Sequence, residues 1–322
     1  MLHRALIALA GALLVTSPAI AGADETAPKL IADGHVDEAI ATLRGQLNAS
    51  PNDAVAHNLL CRAYFSLADW DRGISACEKA VALAPQNSQF HLWLGRIYGE
   101  KADKSGFMTA AGLARKVRGE FETAVQLNPN SVDARSDLAE FYLEAPGIVG
   151  GGRDKAEQQA RSLSGLDPAK AHWVNARIAE KKKDFATAEK EYRSAIEASH
   201  GSASSWLNLG LLYRHREKFD EMEQALGHVR GAPLDRPDAL VDAAEILIRS
   251  QRNLPEAVQL LRAYLDSSSK VEQAPAFKVH YLLGTASEKL GDKQNAASEY
   301  RSALSLAKEF APAQQALQRV NR

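Results

Sequence analysis

The sequence predicts an all-α protein built as a solenoid of two-helix units. First, 56 of the 322 residues are alanine, while glycine and proline stay at 21 and 12, a composition that favours helices. Second, an internal repeat with a period near 34 residues runs through most of the chain. Third, the 39 basic and 40 acidic side chains nearly cancel. No overall field therefore steers this chain towards nucleic acid or an anionic membrane.

The first segment, residues 1–23, has the features of a cleavable signal peptide. A short basic start at His3 and Arg4 precedes an apolar run, and Pro18 and small residues follow it. The apolar run is shorter than the roughly 20 residues that a transmembrane helix needs. We therefore expect a bacterial protein that is exported, periplasmic or secreted, with no membrane segment after cleavage at Ala21 or Ala23.

The repeat is clearest at one position of each second helix, where a small residue usually stands. Residues 24–308 form about eight units by this criterion, and residues 309–322 form a closing helix that would cover the last apolar face. First helices add an aromatic residue, a Leu-Gly pair and a tyrosine, as in Trp206, Leu209, Gly210 and Tyr213. The residues at the repeated position of the second helices are Ala39, Gly73, Val117, Ala156, Ala188, Met222, Ala257 and Ala296.

This pattern resembles the tetratricopeptide repeat (TPR) family, in the type found in exported bacterial proteins. The resemblance implies a right-handed α-solenoid whose concave face is lined by first helices. It also implies that the concave face binds a peptide or a protein and that the chain performs no catalysis.

Two neighbouring units, the third and the fourth, carry extra residues between their helices. The insertions fall near residues 101–112 and 146–152, and equivalent turns of a solenoid lie along one edge. We therefore expect one raised lobe, with Phe107 and Met108 near its tip and Ile148 and Val149 beside them. Two interpretations stay open: lengthening of surface turns, which costs little free energy, and a docking patch for a partner.

The two cysteines, Cys61 and Cys77, occupy facing positions of the second unit. In an oxidising compartment a disulfide fits these positions. Two buried thiols that pack as small apolar residues fit them as well.

The concave face is predicted to carry five arginines together with Asn58 and Asn208. Guanidinium groups bind carboxylates through paired hydrogen bonds, so this set favours an acidic ligand. The alternative is that neighbouring glutamates neutralise the arginines and that the face is merely soluble. The five arginines are Arg62, Arg96, Arg177, Arg214 and Arg249.

No motif of catalysis, metal binding or nucleotide binding is present in the sequence. His57, His91, His172 and His280 all fall on the aromatic position of a first helix, which predicts packing rather than metal ligation. We therefore expect no cofactor, no metal and no nucleic acid. The predicted function is an exported protein-binding scaffold; the alternatives are a self-assembling envelope component and an enzyme accessory subunit that uses the lobe.

Overall fold

The computed structural model describes residues 23–322, with side chains from residue 26 onwards. The predicted signal peptide lies outside this range apart from Ala23. The described residues form helices and no strand, which confirms the predicted all-α fold. The helices are α1 Ala23–Ala32, α2 Val36–Ala49, α3 Ala54–Ser66, α4 Trp70–Leu83, α5 Ser88–Asp103, α6 Phe107–Leu127, α7 Val132–Glu144, α8 Arg153–Leu163, α9 Pro168–Lys181, α10 Phe185–Ala198, α11 Ala203–His215, α12 Phe219–Gly227, α13 Ala239–Ser250, α14 Leu254–Asp266, α15 Ala276–Lys289, α16 Lys293–Leu306 and α17 Ala311–Val320.

Short turns with a fixed conformation join the two helices of the regular units. One turn residue adopts a left-handed backbone with positive φ, and in three units the aspartate that follows caps the second helix by accepting a backbone N–H. The left-handed residues include Gly34, Ala68, Lys183, Glu217 and Gly291. The capping aspartates are Asp69, Asp184 and Asp292.

Within a unit, a small residue of the first helix faces a large residue of the second. A Cβ atom placed on Gly95 would lie 2.4 Å from the ring of Phe121, and one on Gly284 would lie 2.5 Å from Tyr300. These glycines are therefore needed because the two helices approach closely. Neither helix can bury its apolar side alone, so the units stabilise one another as a stack.

Hydrogen bonds link successive units through the tyrosine of the first helix. The hydroxyl of Tyr142 donates to Glu122 at 2.9 Å, and the hydroxyl of Tyr64 accepts from Arg44 at 2.7 Å. In both pairs the partner lies 20 residues earlier, on the second helix of the preceding unit.

The first insertion lengthens two helices instead of forming a loop. Helix α5 has 16 residues and α6 has 21, and only residues 104–106 separate them. The expected loop at residues 101–112 is therefore a helical hairpin, since this stretch has no proline and several good helix formers. The second insertion forms a 3-10 turn, Gly147–Val149, followed by glycines.

The two ends of the solenoid contact each other. Phe277 and Phe310 belong to the same apolar cluster as Ile31 and Val36 of the first unit. At the turn between α1 and α2, a Cβ on Gly34 would lie 2.8 Å from the backbone nitrogen of Phe277. The first unit therefore packs directly against the last.

Polar contacts reinforce this closing contact between the ends. The backbone N–H of Lys308 donates to Asp37 at 3.0 Å, and Arg72 pairs with Glu309 at 2.7 Å. The solenoid is consequently closed by contacts between its first and last units. Among the described helices, none is both long and apolar enough to cross a bilayer.

Candidate partner-binding surfaces

The lobe formed by the two insertions contains an apolar groove, which we call the lobe groove. It has a volume of about 290 Å³ and lies between the extended α5–α6 hairpin and the 3-10 turn after α7. Phe107 and Ile148 stand on opposite sides of it, exposed at 81% and 82%, and Met108 beside Phe107 is exposed at 82%. Three of the four residues predicted for the lobe are thus accessible to a partner.

Val149, the fourth residue predicted for the lobe, is buried. Its exposure is 3%, and its carbonyl accepts a hydrogen bond from Arg118 at 3.4 Å. It therefore supports the 3-10 turn from inside and belongs to the buried lining of the groove instead of its exposed edge.

Five small residues, which we call the floor, line the lobe groove beside the larger Val117 and Phe141, and the charged residues of the groove are acidic. Asp103 is exposed and has no ion pair within residues 26–322, whereas Glu144 pairs with Arg177 and Lys181. A segment that lies in this groove therefore meets small side chains below it and carboxylates at its edge. The small residues of the floor are Gly99, Ala102, Ala110, Ala111 and Ala114.

The glycine segment after Val149 brings the chain back to the core. A Cβ on Gly151 would lie 1.8 Å from the carbonyl oxygen of Ala145, so this position admits only glycine. The N–H of Gly152 donates to the backbone carbonyl of Tyr142 at 2.9 Å, and the ammonium of Lys155 donates to the carbonyl of Gly150 at 3.0 Å. These contacts fix the wall that carries Ile148.

Three of the predicted concave arginines are held by carboxylates of the same chain. Arg62 donates two hydrogen bonds to Glu272. Arg96 pairs with Asp137 at 2.6 Å, and Arg177 pairs with Glu144 at 2.8 Å. This arrangement matches the self-neutralising alternative for these three positions.

Trp93 lies between two of these arginines. The guanidinium carbons of Arg62 and Arg96 lie 5.3 and 5.2 Å from its ring centroid. The pairs therefore form one packed cluster.

The structure brings three other predicted residues together. Asn208, Arg214 and Arg249 line a cavity of about 240 Å³ between α11 and α13. Arg249 pairs with Glu245, while Arg214 has no ion pair among the described residues. Asn58 is buried instead, at 3% exposure, and cannot reach a ligand on the surface.

Burial perturbs the charged groups of the concave face. It raises the pKa of the Asp137 carboxyl above its usual range, with Arg96 opposing the shift. It lowers the pKa of the Lys278 ammonium, with Glu100 and Glu245 opposing. Both shifts arise because the concave face excludes much of the water that would solvate these charges.

Cys61 and Cys77 form a disulfide, with their Cα atoms 5.2 Å apart. They are 16 residues apart, as are Gly210 and Leu226, which face each other in the sixth unit. The covalent bond therefore occupies the place of a small-to-large packing contact. No other cysteine is present in the chain.

Histidines of the first helices make hydrogen bonds that the sequence reasoning missed. His172 bonds Glu191 at 2.8 Å and His280 bonds Glu299 at 2.7 Å, 19 residues on in both units. The equal spacing of 19 residues from histidine to glutamate in these two units could have predicted the hydrogen bonds. No group of three or more potential ligands in residues 26–322 is placed to hold a metal.

Comparisons with known proteins agree with this architecture. Two family models described as tetratricopeptide repeat match residues 30–97 and residues 174–227 and 249–314, more than half of the chain together. No curated protein sequence matches the chain significantly.

Several solved structures are similar to this chain at low identity. Yeast Tom70 superposes with a TM-score of 0.53 at 15% identity, over 89% of this chain and 58% of Tom70. A TPR protein from Thermus thermophilus gives 0.48 at 17%, covering 59% of this chain and 98% of that one. A TPR protein from Parabacteroides merdae gives 0.47 at 12%, covering 93% and 98%. At these identities the likeness concerns the fold alone. The repeated registers, the helical stack and the family models together establish that the chain belongs to the tetratricopeptide repeat family.

Proposed function

We propose that this TPR protein is an exported, non-catalytic scaffold that binds another protein of the cell envelope through its lobe. One observation carries the proposal: Phe107 and Ile148 line one apolar groove, and these two residues and Met108, next to Phe107 in the sequence, are each more than 80% exposed. Exposed apolar side chains grouped in this way mark interaction sites in soluble proteins. Export is supported by the sequence of residues 1–23.

The concave face offers less to a partner. Its arginines at positions 62, 96 and 177 already bind carboxylates of the same chain. An acidic ligand would have to replace these bonds and would gain little. The cavity lined by Asn208 and Arg214 is the part of this face at which an acidic peptide could still bind, because Arg214 has no carboxylate partner within residues 26–322.

Site-specific photo-crosslinking in the native envelope tests which surface is used. A crosslinking amino acid replaces Met108 in the lobe, Asn208 in the concave face, or Leu290. Leu290 is the matched control because it is an exposed leucine, at 51%, in a turn of the last unit. We expect one discrete protein adduct from position 108 and none from position 290.

Two outcomes would contradict the proposal. An adduct from position 208 alone would move the binding surface to the concave face. Absence of adducts from both positions in exported protein would remove the scaffold function assigned to the lobe. Fractionation and the amino-terminal mass of the mature chain test export separately.

A further inference from the structure

We propose that the lobe groove binds a single amphipathic α-helix of the partner, with large apolar side chains on one face and basic residues beside them. This inference rests on the proposed function, because it names the partner class of the same lobe. It follows from the shape, the size and the charge of the groove.

The floor of the groove favours a helix. Gly99 and Ala102 lie on α5, and Ala110, Ala111 and Ala114 lie on α6. Helices approach closely only where the residues between them are small, as the contacts of Gly95, Gly210 and Gly284 inside their units already show. The hairpin thus offers a partner helix the type of surface on which its own helices pack.

The volume favours a few side chains over a complete small molecule. About 290 Å³ lies at the lower limit of pockets that enclose small ligands, and this groove is open to solvent at the exposed edges of Phe107 and Ile148. Large aliphatic side chains spaced along a helix face would fill it, while Phe107 and Ile148 would close over the helix from both sides.

The charge favours a basic helix over a lipid surface. Asp103 and Glu144 are the charged residues that line the groove, and Asp103 is exposed without an ion pair among the described residues. Glu144 already pairs with Arg177 and Lys181, so the free charge of the groove is the carboxylate of Asp103. Anionic envelope lipids would be repelled by this carboxylate, whereas lysine or arginine on a helix would bind it. A protein helix therefore fits the groove better than a membrane does.

The test uses the mature full-length chain and two synthetic peptides. One is an amphipathic Leu/Lys helix and the other is its Leu/Glu counterpart with the same apolar face. We expect the Leu/Lys peptide to bind and to be about tenfold tighter than the Leu/Glu peptide in calorimetric titration.

Matched variants locate the binding. Ala111→Leu fills the floor of the groove and should weaken binding of the Leu/Lys peptide by about tenfold or more. Ala186→Leu makes the same change at an exposed position of α10 and should leave binding unchanged. Asp103→Lys should reverse the preference between the peptides, whereas Glu197→Lys, an equal charge change on α10, should not.

Several results would overturn the inference. The groove is not the site if the wild-type chain binds both peptides equally well and Ala111→Leu binds them as tightly as the wild type does. Flotation with phosphatidylglycerol vesicles that depends on Phe107 would assign the lobe to lipid. A dimer in sedimentation equilibrium that Ala111→Leu dissociates would assign it to a second copy.

Failure of the inference and failure of the proposed function remain distinguishable. If position 108 gives an adduct but neither peptide binds, the proposed scaffold function is kept and the inference that the partner segment is a helix is rejected. Peptide binding without an adduct would keep the helix-binding groove and reject the envelope partner.

Discussion

Single residues set the distance between helices in this protein, and the second unit does so with a covalent bond. Cys61 and Cys77 stand where other units place glycine opposite leucine or an aromatic ring. The disulfide therefore contributes both the contact and a constraint on the unfolded chain. Closing a loop of about 15 residues stabilises a protein by about 3 kcal/mol.

We expect the variant Cys61→Ala with Cys77→Ala to lose about 3 kcal/mol of unfolding free energy in urea titrations. Cys61→Gly with Cys77→Leu, which copies the sixth unit, should lose less because it restores the packing. The control is the wild-type chain with reductant, which should unfold like the alanine variant. An unchanged wild-type midpoint under reductant would contradict the role of the bond.

A second residue-scale prediction concerns the buried carboxyl of Asp137, whose pKa is raised mainly by burial. A raised pKa means that the folded protein binds this proton more tightly than the unfolded chain does. The contribution of this group to stability is therefore greatest below its unfolded pKa of about 3.9 and is lost as the pH rises through the raised value.

Asp137→Asn removes this titration and keeps an acceptor for Arg96. We expect the variant to gain stability relative to the wild type as the pH rises from about 4 through the raised pKa of Asp137. Urea unfolding of both proteins across that range measures the difference. A constant difference would mean that Asp137 does not titrate there with a raised pKa.

At the scale of elements, the lobe depends on how two short insertions fold. The first continues α5 and α6 as helices, and the second turns back at once through glycines. Gly151 is the position at which the turn lies closest to the preceding backbone, 1.8 Å from Ala145 for an added Cβ.

We expect Gly151→Ala to destabilise the protein by about 1–3 kcal/mol because the added atom must displace the backbone. Gly147→Ala is the matched control in the same turn, because no atom lies within 4 Å of its added Cβ. Thermal unfolding followed by circular dichroism compares the two variants. Equal melting temperatures would show that the turn adapts freely.

The sequence predicted the elements well because their signals are local. A small residue recurs at the equivalent position of most units, as at Ala188 and Ala296, and the extra residues between the helices of the third unit predicted the first insertion. The sequence predicted a loop at residues 101–112, because the number of extra residues does not distinguish a loop from two longer helices. Val149 and Asn58 were assigned to surfaces, since residue type alone does not reveal which neighbour covers a side chain.

The whole molecule contains contacts that no local pattern predicts. Arg62 meets Glu272 across 210 residues, and Lys308 meets Asp37 across 271. Residues so far apart in sequence come into contact because the curvature of the solenoid accumulates over all the units. The sequence offered neutralised arginines as one of two interpretations, but it could not predict Glu272 as the partner of Arg62 or the closure of the solenoid.

Gly34 provides a test of this closure. Its φ is +90°, and an added Cβ would lie 2.8 Å from the backbone nitrogen of Phe277. Gly291 has nearly the same φ, +86°, in the equivalent turn of the last unit, with no atom within 4 Å of an added Cβ. Alanine at either position is strained by about 1 kcal/mol, but only the first affects the contact between the ends.

We expect Gly34→Ala to increase the radius of gyration in small-angle X-ray scattering and to reduce the hydrogen-exchange protection of the first amides of α15. Gly291→Ala should change neither quantity. Indistinguishable scattering and exchange for the two variants would mean that the ends separate without consequence or adapt to the added methyl group.

The contact between the ends also limits how this protein can evolve. An open repeat array tolerates duplication of an internal unit, because each unit touches only its neighbours. Here a ninth unit would move Ile31 and Val36 away from Phe277 and Phe310 and leave apolar surface uncovered at both places. Unit number should therefore be far less variable among descendants of this sequence than the length of its two insertions.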